Sequence, residues 1–221
     1  MNDHEHDHHH GAHEPHTPNE DDDVQLTEHE AKFLALKSML IEKGIITAAE
    51  INAQLQLNEK KTPHQAAKMI ARAWRNAEFH ARMLADPKAA ARELGIEVTE
   101  AKLVALENTE QLHNMVVCTL CSCYPRSLLG EPPAFYVSKA YRSRAVREPR
   151  KVLGEFGVQL PDDVEVRVHD SNADLRYFVV PVRPVRAEVL SEDELAALIS
   201  RDALVGCGVV EAAIGRKLPA L

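Results

Sequence analysis

Tryptophan is almost missing from this 221-residue chain: Trp74 is the single one, and aromatic residues make up only 5% of the whole. Long apolar runs are missing as well. No stretch approaches the roughly 18 consecutive apolar residues of a membrane span, so no membrane partner is expected. The first residues show neither a basic segment nor the apolar core of a secretion signal, and a cytoplasmic protein is expected. Positive charge is absent from residues 1–23, which hold eight acids (Asp3, Glu5, Asp7, Glu14, Glu20, Asp21, Asp22, Asp23). The whole chain has a net charge of −8 from 34 acids and 26 bases, so removing that tail leaves 26 of each sign. A neutral body has no electrostatic footprint for nucleic acid. Cysteine is scarce too, at four residues, and three of them (Cys118, Cys121, Cys123) fall within six positions, with Cys207 apart. A disulfide framework would spread its cysteines through the chain; this clustering points to chemistry.

What is present divides into three parts. Residues 1–23 read as a disordered acidic tail holding seven of the twelve histidines. It is a solvated solubilising segment or a loose trap for a transition metal, and the composition is compatible with both. Residues 24–95 read as a helical arm. Thr27 and Glu30 form a capping box, Phe33, Leu36, Leu40 and Ile41 give one apolar face, and Gly44 stops the helix. Thr47 to Glu50 repeats the pattern for a helix ending near Leu57, Thr62-Pro63 opens the next, and Asp86-Pro87 starts one that ends at Gly95. These helices are rich in alanine, and an arm packed on a partner is expected. Residues 96–221 read as a metal-binding α/β catalytic domain, the whole being α+β. Short strands are expected at Lys102–Glu107, Met115–Cys118, Val164–His169 and Tyr177–Val182, and a final one at Leu204–Val210. Helices are expected over Ala140–Phe156 and from Ser191 to about Ala203.

The segment Val117-Cys118-Thr119-Leu120-Cys121-Ser122-Cys123-Tyr124-Pro125 holds the chemistry. A structural zinc site needs four ligands, and the only other cysteine lies far downstream at 207. A thioredoxin-type pair has no place for the third cysteine, and three buried structural cysteines would be a coincidence. A mononuclear metal claw uses all three. Cys121 and Cys123 are too close in sequence to share a helix face. In a tight loop their two sulfurs and the amide nitrogens of Ser122 and Cys123 can lie in one plane, with the Cys118 sulfur as axial ligand. Such a strong-field set suits a trivalent low-spin first-row metal and leaves one position open for catalysis.

The same segment resembles the metal-binding motif of nitrile hydratase α subunits. The likeness continues in Leu106-Glu107-Asn108-Thr109, in His113 to Val117, in Ala140 to Arg150, in Glu155-Phe156-Gly157 and in Arg176-Tyr177 and Arg201-Asp202, covering roughly residues 30–207. Arg167 and Asp170 match as well and read as a structural pair. The resemblance implies a four-layer α-β-β-α fold and one cobalt ion (Co3+) per chain, because Thr119 stands where that family's cobalt members have threonine and its iron members serine. It implies metal ligation by Cys118, Cys121, Ser122 and Cys123, with Cys121 as sulfinate, Cys123 as sulfenate and the Ser122 and Cys123 amides deprotonated. Catalysis is then assigned to Cys123, with Ser122 and Cys121 beside it, in the hydration of a small nitrile to its amide. The partner implied is a β subunit, in a heterodimer or heterotetramer, whose two arginines meet the oxidised sulfurs. Three positions depart from the family: Arg126, Phe135 and His169 stand where tryptophan is usual, and Val185 to Val189 replace a Gly-Thr-Glu-Gly-Trp stretch. Tyr124-Pro125-Arg126, Asp170-Ser171-Asn172 and Pro181-Val182-Arg183-Pro184 are similar instead to the γ subunit of thiocyanate hydrolase, which shares the cobalt claw. A metal-carrying accessory subunit is the third alternative.

Overall fold

The computed structural model describes residues 27–59, 61–185 and 187–210; the acidic, histidine-rich tail of the sequence reading lies outside them. Two units divide at Ile51 and Asn52. In the first, α1 (Glu28–Glu42) starts at the expected capping box, Thr27 Oγ1 accepting the Glu30 N–H while the Glu30 carboxylate accepts the Thr27 N–H at 2.8 Å. Gly44 follows its C-cap at φ 65°. No residue of α1 is buried, and Phe33, Leu36 and Met39 are exposed. Helix α2 (Ala48–Glu59) runs across the boundary, capped by Thr47 and Glu50.

The second unit contains the core. Proline at the first turn opens α3 (Pro63–Arg75), as the sequence predicts. Its residues Ala66, Ala67, Met69, Ile70, Ala71, Ala73 and Trp74 are all buried, so it is enclosed on most of its circumference. Alanine lets neighbouring backbones approach, and α4 (Ala77–Ala85), α6 (Arg126–Leu129) and α10 (Glu192–Ala197) pack on it. The Asn76 side chain caps α4 by accepting the Phe79 N–H at 2.9 Å, and Asp86 caps α5 (Pro87–Glu93) through Ala89 at 3.0 Å.

Four strands follow. β1 (Lys102–Glu107) pairs in parallel with β4 (Leu175–Val180), and β2 (Leu112–Val117) pairs in parallel with β3 (Glu165–Asp170). β1 and β2 therefore lie in different sheets, as do β3 and β4, while β2 and β3 are neighbours in one. Thr109 makes the first crossing, its hydroxyl accepting the Gln111 and Leu112 N–H groups, and Asn172 makes the second in the same way with Asp174 and Leu175. β2 also touches β4, and five of its six residues are buried on both faces. Met115, Phe178 and Leu204 are fully buried in the apolar core there, each worth about 1.5–3 kcal/mol.

Two expectations are revised. The expected helix Ala140–Phe156 is two helices, α8 (Lys139–Ala145) and α9 (Pro149–Glu155), because Pro149 forces Glu148 out of helical geometry (φ −142°, ψ 56°). A short helix α7 (Ala134–Val137) precedes them. The expected strand Leu204–Val210 is a 3-10 turn at Ala203–Val205 ended by Gly206 at φ 80°. No helix among the described residues is long and apolar enough to cross a membrane.

Candidate metal centre

β2 ends at Val117, and the chain leaves the core there. Cys118 is fully buried at that exit. The next seven residues form an irregular loop, which Pro125 closes as the N-cap of α6. The loop is folded back on itself: the Cys121 N–H donates to the Cys118 sulfur at 3.3 Å. The Cys118 and Cys121 sulfurs are 3.3 Å apart and the Cys121 and Cys123 sulfurs 3.0 Å apart, and all three lie within 4.8 Å of one another. All are free thiols.

These spacings test whether an ion fits. A metal–sulfur bond of about 2.3 Å separates two sulfurs by about 3.3 Å at a right angle and about 3.8 Å at the tetrahedral angle. The 3.3 Å spacing found here equals the right-angle value and the 3.0 Å spacing is shorter still, both nearer to a square or octahedral centre than to a tetrahedral one. The protons are already unequally shared. Hydrogen bonds from the Cys123 and Cys118 thiols hold the Cys121 thiol below its ordinary pKa, while burial, together with the bond to Cys121, pushes Cys123 up to about 12. Cys121 is exposed, Cys123 half-buried, and Ser122 lies half-buried between them.

The loop is held from several directions. Asp170, at the end of β3 and in register with Val117, accepts the Thr119 N–H at 2.9 Å and its hydroxyl at 2.5 Å. The Tyr136 hydroxyl donates to the Cys123 carbonyl at 2.8 Å. Arg142 on α8 donates to the Thr119 carbonyl at 3.4 Å. Beneath the loop, Tyr141 donates to the Val116 carbonyl at 2.6 Å, and the Cys207 sulfur lies 3.3 Å from the same hydroxyl. Burial pushes the Cys207 thiol up to about 12, so it stays protonated and inert. Further back, buried His113 bonds to the Gly206 carbonyl at 2.8 Å and to the Asn108 amide at 3.3 Å, and Asn108 accepts the Asn114 N–H at 2.7 Å.

The structure thus brings Cys118, Cys121 and Cys123 together as the spacing suggests. It separates Arg167 from Asp170: Arg167 pairs with Glu165 at 2.8 Å, and Asp170 serves Thr119. Arg126 turns to Glu131 at 2.7 Å and is exposed. Tyr136 and the Asp170 clamp had no local signal, because their partners come from distant parts of the chain.

A family model described as the nitrile hydratase alpha chain matches residues 27–208. The low-molecular-weight cobalt-containing nitrile hydratase subunit alpha of Rhodococcus rhodochrous is 47% identical over 181 residues, covering 81% of this chain and 87% of that one. The thiocyanate hydrolase subunit gamma of Thiobacillus thioparus is 38% identical over 197 residues, covering 84% of this chain and 81% of the relative. Among solved structures, a double mutant of the Fe-type nitrile hydratase from Comamonas testosteroni Ni1 superposes with a TM-score of 0.80 at 37% identity, covering 87% of this chain and 96% of that one.

Proposed function

The chain belongs to the nitrile hydratase alpha-chain family, and from that premise we propose that it is the metal-bearing α subunit of a cobalt nitrile hydratase, converting a small nitrile to its amide. The observation that carries this reading is the Cys118, Cys121 and Cys123 sulfur cluster on the claw loop, spaced for right-angle ligation. Thr119 within it favours cobalt. Cys118, Cys121 and Cys123 supply the sulfur ligands, and the Ser122 and Cys123 amides the remaining two. Bound there, the ion supplies Lewis acidity toward nitrile or water.

The chain's own residues do the rest. Cys121 is assigned as sulfinate and Cys123 as sulfenate, whose oxygen is the nucleophile toward the nitrile carbon. Ser122 orients that oxygen. Tyr136 fixes the Cys123 carbonyl and Asp170 fixes Thr119, so the loop holds its shape while the nitrile enters from the exposed side of Cys121.

A β subunit completes the enzyme. Two exposed apolar surfaces support that partner: Leu120 at the apex of the claw loop, 87% exposed, and the Phe33, Leu36 and Met39 face of α1. A heterodimer, or a pair of them, working in the cytoplasm is the proposed assembly.

Thiocyanate hydrolysis is the second reading, favoured by Arg126 where nitrile hydratases have tryptophan. The Arg126–Glu131 ion pair turns that cation toward the surface, which supports the nitrile. Co-expression with the β partner in cobalt medium tests both. The expected product carries one cobalt per chain, a mass about 48 Da above the reduced chain for three added oxygens, and turns over an aliphatic nitrile faster than thiocyanate. Stoichiometric zinc, or no metal, refutes the cobalt centre; thiocyanate as the better substrate refutes the nitrile assignment.

A further inference from the structure

A loaded claw is strongly anionic. On the reading above, three sulfur ligands and two deprotonated amides outweigh a trivalent ion, and added oxygens sharpen that charge at the surface of the loop. Most arginines around the claw-bearing fold are already committed. Arg144 is paired with Glu148 and Glu155, Arg167 with Glu165, Arg126 with Glu131, and Arg150 with backbone carbonyls of the segment after α9. Two are not.

Arg142 reaches the claw loop from α8, its Nη1 making the 3.4 Å bond to the Thr119 carbonyl, while its Nε–H is shut away from solvent without an acceptor. Arg176, in β4, has both Nε and Nη1 buried without an acceptor, and its positive charge is felt at Cys123. Neither forms an ion pair with any carboxylate among the described residues. Buried N–H groups on a permanent cation are costly to leave unsatisfied, and burial beside a site that takes up negative charge gives them a purpose.

We propose that Arg142 and Arg176 are the chain's own charge partners for the loaded claw, their unpartnered N–H groups donating to its anionic sulfur and oxygen atoms. The inference rests on the claw holding a metal. It changes the expectation that the cluster's cations come only from the partner: two are built into this chain, both downstream of β2, from α8 and from β4.

The test uses the full complex, loaded with cobalt, with the variants Arg142→Met, Arg176→Met, Arg142→Lys and Arg176→Lys. Each Met variant is expected to release cobalt to a strong chelator about tenfold faster than the native complex or more, the range for loss of a group that supports a metal ligand, and to shift the sulfur-to-metal absorption band. The Lys variants keep a point charge without the fork of donors and fall between. In the metal-free chain the Met variants should melt no lower than the native protein, so the rise in melting temperature on cobalt loading shrinks.

Equal destabilisation with and without metal indicates a purely structural role and overturns the proposal. So does weaker association with the β subunit at an unchanged release rate, which would give these N–H groups to the partner. Where a Met variant fails to assemble, the Lys variant decides: a native release rate and a native absorption band overturn the proposal. A native complex that binds no cobalt removes the functional reading and this inference together; a loaded native complex with unaffected variants removes this inference alone.

Discussion

Gly206 is the position where a single methyl group should do most damage at a distance from the claw. Its φ is 80°, and a Cβ built there falls 2.0 Å from the Asn114 carbonyl oxygen and 2.8 Å from the Met115 Cα. Both obstacles are backbone of β2, which is buried on both faces and cannot step aside. Gly206→Ala therefore incurs left-handed strain of about 1–3 kcal/mol. Moving the turn away also breaks the 2.8 Å bond between His113 Nε2 and the Gly206 carbonyl, leaving a buried N–H unsatisfied at about 1–3 kcal/mol. The sum, about 2–6 kcal/mol, is a large part of a typical stability of about 5–15 kcal/mol. At about 2–4 °C per kcal/mol for a chain of this size, thermal unfolding should fall by roughly 5–20 °C. Gly95→Ala is the control: φ is 69° there, but nothing lies within 4 Å of the added Cβ, so only the backbone strain remains. Differential scanning of the two variants beside the native chain decides the matter. If Gly206→Ala melts within about 2 °C of Gly95→Ala, the close approach of the Gly206 turn to β2 is wrong.

Other perturbations read different parts of the structure. Asp170→Asn keeps the shape but replaces an acceptor of the Thr119 N–H and hydroxyl, so about 1–2 kcal/mol of loop restraint should go; cobalt loss to a chelator is expected about 5- to 30-fold faster, and a native rate would show the clamp to be idle. Burial holds His113 below its ordinary pKa, so its contribution to stability is present above the unfolded value of about 6.5 and is lost as pH falls through the lower folded value; His113→Gln should flatten that acid limb in urea midpoints measured against pH. Arg126→Trp removes a cation that faces Glu131 at the surface, and the ratio of aliphatic nitrile to thiocyanate turnover in the assembled enzyme should stay unchanged; a shift toward the nitrile would place that guanidinium in the pocket.

Local features of this fold are legible in the sequence, and contacts between distant segments are not. β1 has the bounds its apolar pattern indicates, and the capping boxes at Thr27 and Ser191 start helices where expected. Leu204–Val210 looks like a strand because its leucine and valines form an apolar run, but Gly206 lets the chain turn against Asn114 instead, a contact no local pattern encodes. The pattern over Ala140–Phe156 suggests one long helix, but Pro149 forces Glu148 out of helical geometry and splits it in two. At the claw, three sulfurs within six residues that could share one metal ion are legible from spacing alone. The groups that steady them are not: Asp170, Tyr136 and Arg142 reach the loop from other elements, and the apparent Arg167–Asp170 pair dissolves once strand alternation sends each side chain to a different neighbour.

That contrast has a kinetic side. All three clustered thiols are present as soon as Cys123 leaves the ribosome, whereas β2 finds its partner only when Leu112 can pair with Glu165, and β1 waits still longer for Leu175. Parallel pairings across such separations close slowly, because the loop entropy comes first and the contacts after. A nascent chain thus displays three thiols for a time with neither the Asp170 clamp nor the right-angle spacing around them. Naked thiolates follow the intrinsic affinity order, which favours copper and zinc over cobalt. On the proposed cobalt reading, metal discrimination falls to the closed fold, where the Asp170 bonds to Thr119 and the close sulfur spacing are both in place.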